Sequence, residues 1–248
     1  MPTVSAVTLP DHLSDHQLNG CVVAVIDVLR ATTTIAQALQ NDASCVIPVA
    51  SVESARMLAN ENRNALLCGE RGGVKPDGFA LGNSPAEYTP DLVQGRDLVL
   101  TTTNGTRALQ LCTQADRVIT TSITNLDAAA TFLKSLNQDI MIVCSGTDRK
   151  VSLEDAIAAG LLADSISDHY TRDDAASLLI HAARDTIQSS GSLAAAIASS
   201  FHAKRLQRLG FESDVLQAAQ RGTSTIIPEF DVVTGEIRPA SKIAGMVD

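Results

Sequence analysis

The chain has 248 residues, enough to bury a full core as one large domain or two small ones. Apolar residues make up 45% but aromatics only 3%, and Trp is absent, so Ala, Val, Leu and Ile must build the interior. A formal net charge of -9 argues against a broad nucleic-acid or anionic-membrane surface, yet a few Arg and Lys can still reverse the field inside a cleft for a small anion.

Residues 1–18 carry Asp11 and Asp15 and lack a basic start followed by an apolar run, so they do not read as a signal peptide. No stretch approaches the roughly 20 apolar residues of a membrane span. The five cysteines, Cys21, Cys45, Cys68, Cys112 and Cys144, form no CxxC pair. Four of them sit in or beside apolar runs, where reduced, buried thiols of a cytoplasmic protein are expected.

Residues 21–26 are a continuous, β-branched apolar run, as a strand covered on both faces requires. Similar runs follow at 45–49, 65–68, 98–101, 117–120 and 140–144, and helical periodicity falls between them at 34–39, 52–60, 106–112, 126–136 and 153–167. This alternation predicts an α/β fold with a mainly parallel sheet. Residues 173–220 are Ala-rich and helical in period, with breaks at Gly191 and Gly210. A late strand is expected at 225–228, and Thr234-Gly235 as a turn within 232–237. With no linker or repeat, one domain over 1–248 is the simplest organisation, and its helical C-terminal third would suit a homodimer.

Three segments share one plan of buried strand, polar loop and helix start: residues 25–34, 100–107 and 143–150. Ligands of parallel α/β sheets bind beyond the carboxyl ends of the strands, where helix N-termini favour phosphate or sulfonate. Gly105 and Gly146 would let backbone approach a ligand, and Thr33, Asn104 and Thr106 would supply polar contacts, although such residues also cap helices and make turns. Of the nearby cations Arg30, Arg71, Lys75, Arg107 and Arg149, Arg30 is the best anion-binding candidate, because it follows a buried strand by only a few residues. Asp27, Glu70, Glu154 and Asp155 are hard oxygen ligands of the kind Mg2+ takes, although Ser152 with Asp155 also has capping-box spacing.

The string Ile26-Asp27-Val28-Leu29-Arg30-Ala31-Thr32-Thr33-Thr34-Ile35 resembles the signature of the 2-phosphosulfolactate phosphatase family. So do Cys68-Gly69-Glu70-Arg71-Gly72-Gly73, Leu81-Gly82-Asn83-Ser84-Pro85, Thr102-Thr103-Asn104-Gly105-Thr106, Cys144-Ser145-Gly146 and Leu153-Glu154-Asp155-Ala156. Gly210-Phe211 with Asp214, and Pro228, are looser C-terminal matches. The resemblance implies a three-layer α/β/α sandwich with a mixed, mainly parallel sheet. It also implies Mg2+-dependent hydrolysis of a small anionic phosphorylated substrate, 2-phospho-3-sulfolactate, as in coenzyme M biosynthesis. A phosphatase of another small 2-phospho acid, or a non-catalytic binder of such acids, would use the same anion loops.

Two familiar phosphatase signatures do not fit. The position two residues after Asp27, where a haloacid-dehalogenase phosphatase carries its acid, is Leu29. A cysteine phosphatase needs Cys, five residues, then Arg, and from Cys144 that place holds Lys150. Metal-assisted attack by water, with Asp27 and Arg30 at the reacting group, is the leading expectation. Covalent catalysis by a Cys144 thiolate, its pKa depressed at a helix N-terminus near Arg149, is the alternative.

Overall fold

The computed structural model describes residues 1–14 and 18–240, so Asp15, read above, lies outside them. The strands are β1 (Thr3–Val7), β2 (Cys21–Ile26), β3 (Cys45–Pro48), β4 (Ala65–Gly69), β5 (Asp97–Thr101), β6 (Arg117–Thr121), β7 (Asp139–Cys144), β8 (Thr171–Arg172), β9 (Pro228–Asp231) and β10 (Glu236–Pro239). They form one sheet in the order β4-β5-β3-β10-β9-β6-β2-β7-β1-β8. Helices cover both faces, which makes the fold a mixed, mostly parallel α/β sandwich, as anticipated.

Period-two alternation sorts the central strand between the two layers. Val22, Ala24 and Ile26 of β2 pack toward α5 (Leu126–Leu136) and α6 (Leu153–Ile166). Val23 and Val25 pack toward α1 (Ala31–Gln40) and α4 (Gly105–Gln110), between which the chain forms α2 (Val52–Glu61) and α3 (Pro90–Val93). Full burial of each such side chain stabilises by about 1.5–3 kcal/mol, so a one-residue slip of β2 would be heavily disfavoured. The register therefore sets Ile26 level with Thr121 of β6 and Cys144 of β7, and Gly69 of β4 level with Thr101 of β5. Within each of these strand groups the polar loops thus start level with one another.

A hairpin in the middle of the sheet decides how these loops meet. β9 pairs antiparallel with β6, β10 with β9, and β10 with β3, so the β4-β5-β3 block runs in the opposite sense to the β6-β2-β7-β1-β8 block. Twist of roughly 20–25° per strand, summed over the steps from β4 to β2, comes to roughly 120–150°. Twist of that size offsets much of the reversal, so the loops that follow β5 and β2 are able to meet. Gly105, just after β5, accordingly abuts Ala31 and the Asp27 carboxylate, just after β2.

The late strand is Pro228–Asp231, not residues 225–228; residues 225–227 are irregular, and the Asn125 side chain binds the Ile226 carbonyl at 3.0 Å. The turn at Thr234-Gly235 does join β9 to β10, with Asp231 Oδ1 accepting the N–H groups of Val233 and Thr234. Strand β1 was not anticipated, because only Val4 and Ala6 are buried and its apolar run is short. The C-terminal region forms α7 (Asp174–Ser190), α8 (Leu193–Ala198), α9 (Phe201–Arg208) and α10 (Glu212–Ala218). Gly191 and Gly210 do interrupt it; a further break falls at Ser199-Ser200, where the Ser200 side chain caps α9. No described helix is long and apolar enough to cross a membrane.

Helices α6 and α7 cross where a Cβ on Gly160 would lie 2.2 Å from the Leu179 carbonyl oxygen. Gly160→Ala should push the helices apart and destabilise by about 1–3 kcal/mol, read as a lower urea midpoint at unchanged slope.

Candidate active site

Asp27 leaves β2 directly into the protein interior and is only 5% exposed. Its backbone is clasped by Thr32, whose hydroxyl donates to the Asp27 carbonyl at 2.8 Å and accepts the Asp27 N–H at 3.1 Å. One carboxylate oxygen accepts the Ala31 N–H at 3.3 Å. Burial pushes the Asp27 carboxyl up to about 6 despite the opposing pull of His202 and two hydrogen bonds.

Two further carboxylates weld the loops together. Asp155, in the first turn of α6, accepts the Val28 N–H at 2.9 Å through one oxygen. Its other oxygen accepts the Gly146 N–H at 3.0 Å and the Ser145 hydroxyl at 3.3 Å. Burial, then the charges of Glu154 and Asp27, hold its carboxyl well above the usual range. The capping-box alternative for this residue is thus replaced: Ser152 makes no side-chain cap and instead bonds Thr147. Glu70 does for β4 and β5 what Asp155 does for β2 and β7. It accepts the Thr103 N–H and hydroxyl at 2.8 and 2.9 Å through one oxygen, and the Gly73 N–H at 2.7 Å through the other.

Arg30 is buried and committed. Its guanidinium bonds Asp214 of α10 at 2.6 Å and the Gly73 carbonyl at 2.8 Å, and it lies over the Phe211 ring. Glu154 is 1% exposed; one oxygen lies 3.4 Å from His202 Nδ1, and the other, Oε2, is buried with no hydrogen-bond partner. His202 Nδ1 also bonds the Thr147 hydroxyl at 2.9 Å.

These elements enclose a cavity of about 110 Å³ lined by Asp27, Arg30, Glu70, Asn104, His202 and Arg205, among others. Asn104 reaches it with its carboxamide oxygen, which accepts the Asp148 N–H at 3.3 Å. Gly105 serves by what it lacks, since a Cβ there would sit 2.8 Å from an Asp27 oxygen. Gly146, at φ +67, has no room for a Cβ beside Leu9 and the Lys150 carbonyl.

Other expected residues are placed elsewhere. The Thr33 hydroxyl donates to the Val28 carbonyl, and Thr106 bonds Thr102 within its own loop. Arg71 is tied to the Glu70 and Ala50 carbonyls and the Thr101 hydroxyl, outside the cavity lining. Arg149 is exposed on a turn. Lys75 donates to the Ala80 carbonyl, and Arg107 pairs with Asp11. The depressed thiol expected for Cys144 is reversed: burial, reinforced by Asp155 and Glu154, raises it well above the ordinary value, so it rests as a protonated thiol.

His202 and Arg205 were not legible as cavity residues, nor Asp214 as the partner of Arg30, because they lie on helices remote in sequence from every strand-end motif. Only the isolated Gly210-Phe211 and Asp214 match hinted at this region. Among the described residues, no group of three or more His, Cys, Asp or Glu side chains is gathered closely enough to hold a metal unaided.

Comparison with known proteins agrees over nearly the whole chain. Residues 7–232 match the family model described as 2-phosphosulpholactate phosphatase. A probable 2-phosphosulfolactate phosphatase of Symbiobacterium thermophilum is 42% identical over 87% of this chain and 93% of its own length. One from Clostridium perfringens is 36% identical over 95% of both chains, and one from Thermotoga maritima 44% identical over 77% of this chain and 81% of its own. With so continuous a match behind the cavity's geometry, this chain belongs to the 2-phosphosulfolactate phosphatase family and is a phosphatase of phosphate monoesters.

Proposed function

We propose that this phosphatase hydrolyses 2-phospho-3-sulfolactate to 3-sulfolactate and inorganic phosphate, with Mg2+ as cofactor. The substrate is the one the relatives' names carry. The observation that supports the cofactor is the orphaned Glu154 Oε2, buried among carboxylates that repel one another. Such a cluster calls for a proton or a cation. Mg2+ commonly takes only one or two protein carboxylates and completes its shell with water and substrate oxygens, so a closed protein cage is not required. The donor set fits on that basis. Asp27 and the free oxygen of Glu154 would hold the ion, which when bound supplies charge neutralisation at the phosphoryl oxygens. Glu70 and Asp155 are better suited to fixing loops, since both oxygens of each already accept hydrogen bonds.

The chain's own groups account for the rest of the reaction. The ionised Asp27 carboxylate takes a proton from the attacking water as the water's lone pair reaches phosphorus, and gives it up to solvent after the product leaves. The new P–O bond forms as the bond from phosphorus to the ester oxygen breaks. His202 lines the cavity with its Nδ1 held by Thr147 and Glu154, which leaves Nε2 as the nitrogen that would protonate the leaving alkoxide. A phosphocysteine on Cys144 is disfavoured, because a buried, protonated thiol is a poor nucleophile.

Asp27→Asn should lower kcat by about 10²–10⁴-fold, and the wild-type rate should fall as acid protonates this carboxyl, in a window that lies at about 6 in the metal-free protein and lower once a cation is bound. Because its folded-state pKa lies above the ordinary value, ionisation removes stability as pH rises through that window. The metal-free Asn variant should therefore be the more stable protein at neutral pH, on the order of 1–3 kcal/mol by urea titration. An Asn variant that retains near-normal turnover at saturating Mg2+ removes Asp27 from the reaction. In a phosphate-release screen, 2-phospho-3-sulfolactate should be the best of the small 2-phospho acids, with EDTA abolishing turnover and Mg2+ restoring it. Equal rates across the acids would refute the substrate, and full activity in EDTA would refute the cofactor.

A further inference from the structure

The mouth of the cavity is framed by two tight turns of the same kind. In one, Arg71 and Val74 exchange backbone hydrogen bonds around Gly72 and Gly73, whose φ values are 64 and 90°. In the other, Thr147 and Lys150 exchange them around Asp148 and Arg149, at φ 51 and 59°. Positive φ at both central positions is natural for two glycines and strained for an Asp-Arg pair. Arg205, from α9, links the two tips: its guanidinium bonds Asp148 at 3.0 Å and approaches the Gly72 carbonyl at 3.4 Å. The strained tip thus holds a carboxylate against an arginine at the entrance.

An anionic substrate entering here meets the carboxylates of Asp27, Glu70 and Asp148, so some cation must be free to change partners. Arg30 is a poor choice. It and Asp214 are 2% and 1% exposed, and Asp214 also accepts the Ser84 hydroxyl, so parting them would leave a buried charge unpaired. His202 is engaged at Nδ1. The Arg205–Asp148 pair differs in kind: its side chains are 35% and 58% exposed, and surface pairs of this sort contribute little to stability. Arg205 can therefore release Asp148 to water at small cost and turn its planar fork of donors to a substrate oxyanion.

We infer that Arg205 is the specificity residue for the substrate's second acidic group, exchanging Asp148 for the sulfonate once the phosphate reaches Asp27. This rests on the function proposed above. The choice of group follows from connectivity. In 2-phospho-3-sulfolactate the carboxylate is attached to the carbon that bears the phosphate ester, whereas the sulfonate lies one carbon further out. With the phosphate at the deep end, the sulfonate is the acid that extends to the mouth.

The test compares kcat/KM for 2-phospho-3-sulfolactate and for 2-phospholactate, which lacks the sulfonate, in wild type, Arg205→Ala and Asp148→Ala, each with an unfolding curve. Arg205→Ala should lose about 10- to 150-fold on the sulfonated substrate, mainly through KM, and less than about 3-fold on 2-phospholactate. Asp148→Ala should lower KM for the sulfonated substrate, since it removes Arg205's competing partner. Equal losses on both substrates in Arg205→Ala, or losses in Asp148→Ala that parallel it, would mean that the pair merely braces the two turns, and would overturn the inference. A wild type indifferent to the sulfonate overturns it while leaving the phosphatase assignment intact. A wild type inactive on both substrates overturns the proposed function, and this inference with it.

Discussion

The Asp155 carboxylate accepts N–H groups from Val28 and Gly146, backbone positions that follow two neighbouring strands. That bridge makes the site possible, because it holds the loop carrying Asp27 against the loop that leads to Glu154. It also imposes a difficulty: Asp27, Glu154 and Asp155 are each no more than 5% exposed. Desolvation, reinforced by repulsion between carboxylates, pushes the Asp155 carboxyl well above its usual range and brings Asp27 to about 6. A site arranged this way is unfavourable when empty, and gains stability when a cation or proton shares it. Function and instability have one source.

Glu70 extends the same device to the other half of the sheet. By accepting N–H groups from Thr103 and Gly73, it binds the loop after β5 to the turn after β4. That turn also receives Arg30, whose partner Asp214 belongs to the C-terminal helices. The cavity is thus closed by charge pairs of graded commitment. The Arg30–Asp214 pair is buried and structural, whereas the Arg205–Asp148 pair is half open to water. The dielectric around each pair decides its role: deep burial makes an ion pair costly to part, and exposure makes it exchangeable.

Much of the central architecture was legible in the sequence. Strands β2 to β7 are short apolar runs, β-branched except for β4, and the burial of the central ones on both faces leaves little ambiguity in such runs. Asp27, Glu70, Asn104 and Gly105 were also visible, since each lies within four residues after a strand, in the loops where ligands gather. Proximity in sequence was a good guide to function only for groups held by the backbone of a strand-end loop. Thr33, Arg71 and Arg149 satisfied the same proximity rule, yet side-chain direction turned them to carbonyl groups or to solvent.

By itself the sequence determined the α/β alternation, the reduced cysteines and the set of acidic and glycine positions at the strand ends, because these depend on local period and local chemistry. Only the tertiary structure decided the rest. A central antiparallel hairpin reverses half of the sheet, and the loops that follow β5 and β2 nevertheless meet at Gly105 and Asp27. His202 and Arg205 enter the cavity, and Asp214 anchors Arg30 beside it, from helices remote from the strand-end loops, through contacts spanning from 55 to 184 residues of chain. Cys144, which beside a helix start promised a reactive thiolate, became an inert buried thiol because its neighbours in space are carboxylates. Charge and burial at a site are sums over every neighbour in three dimensions, and local sequence carries only part of that sum.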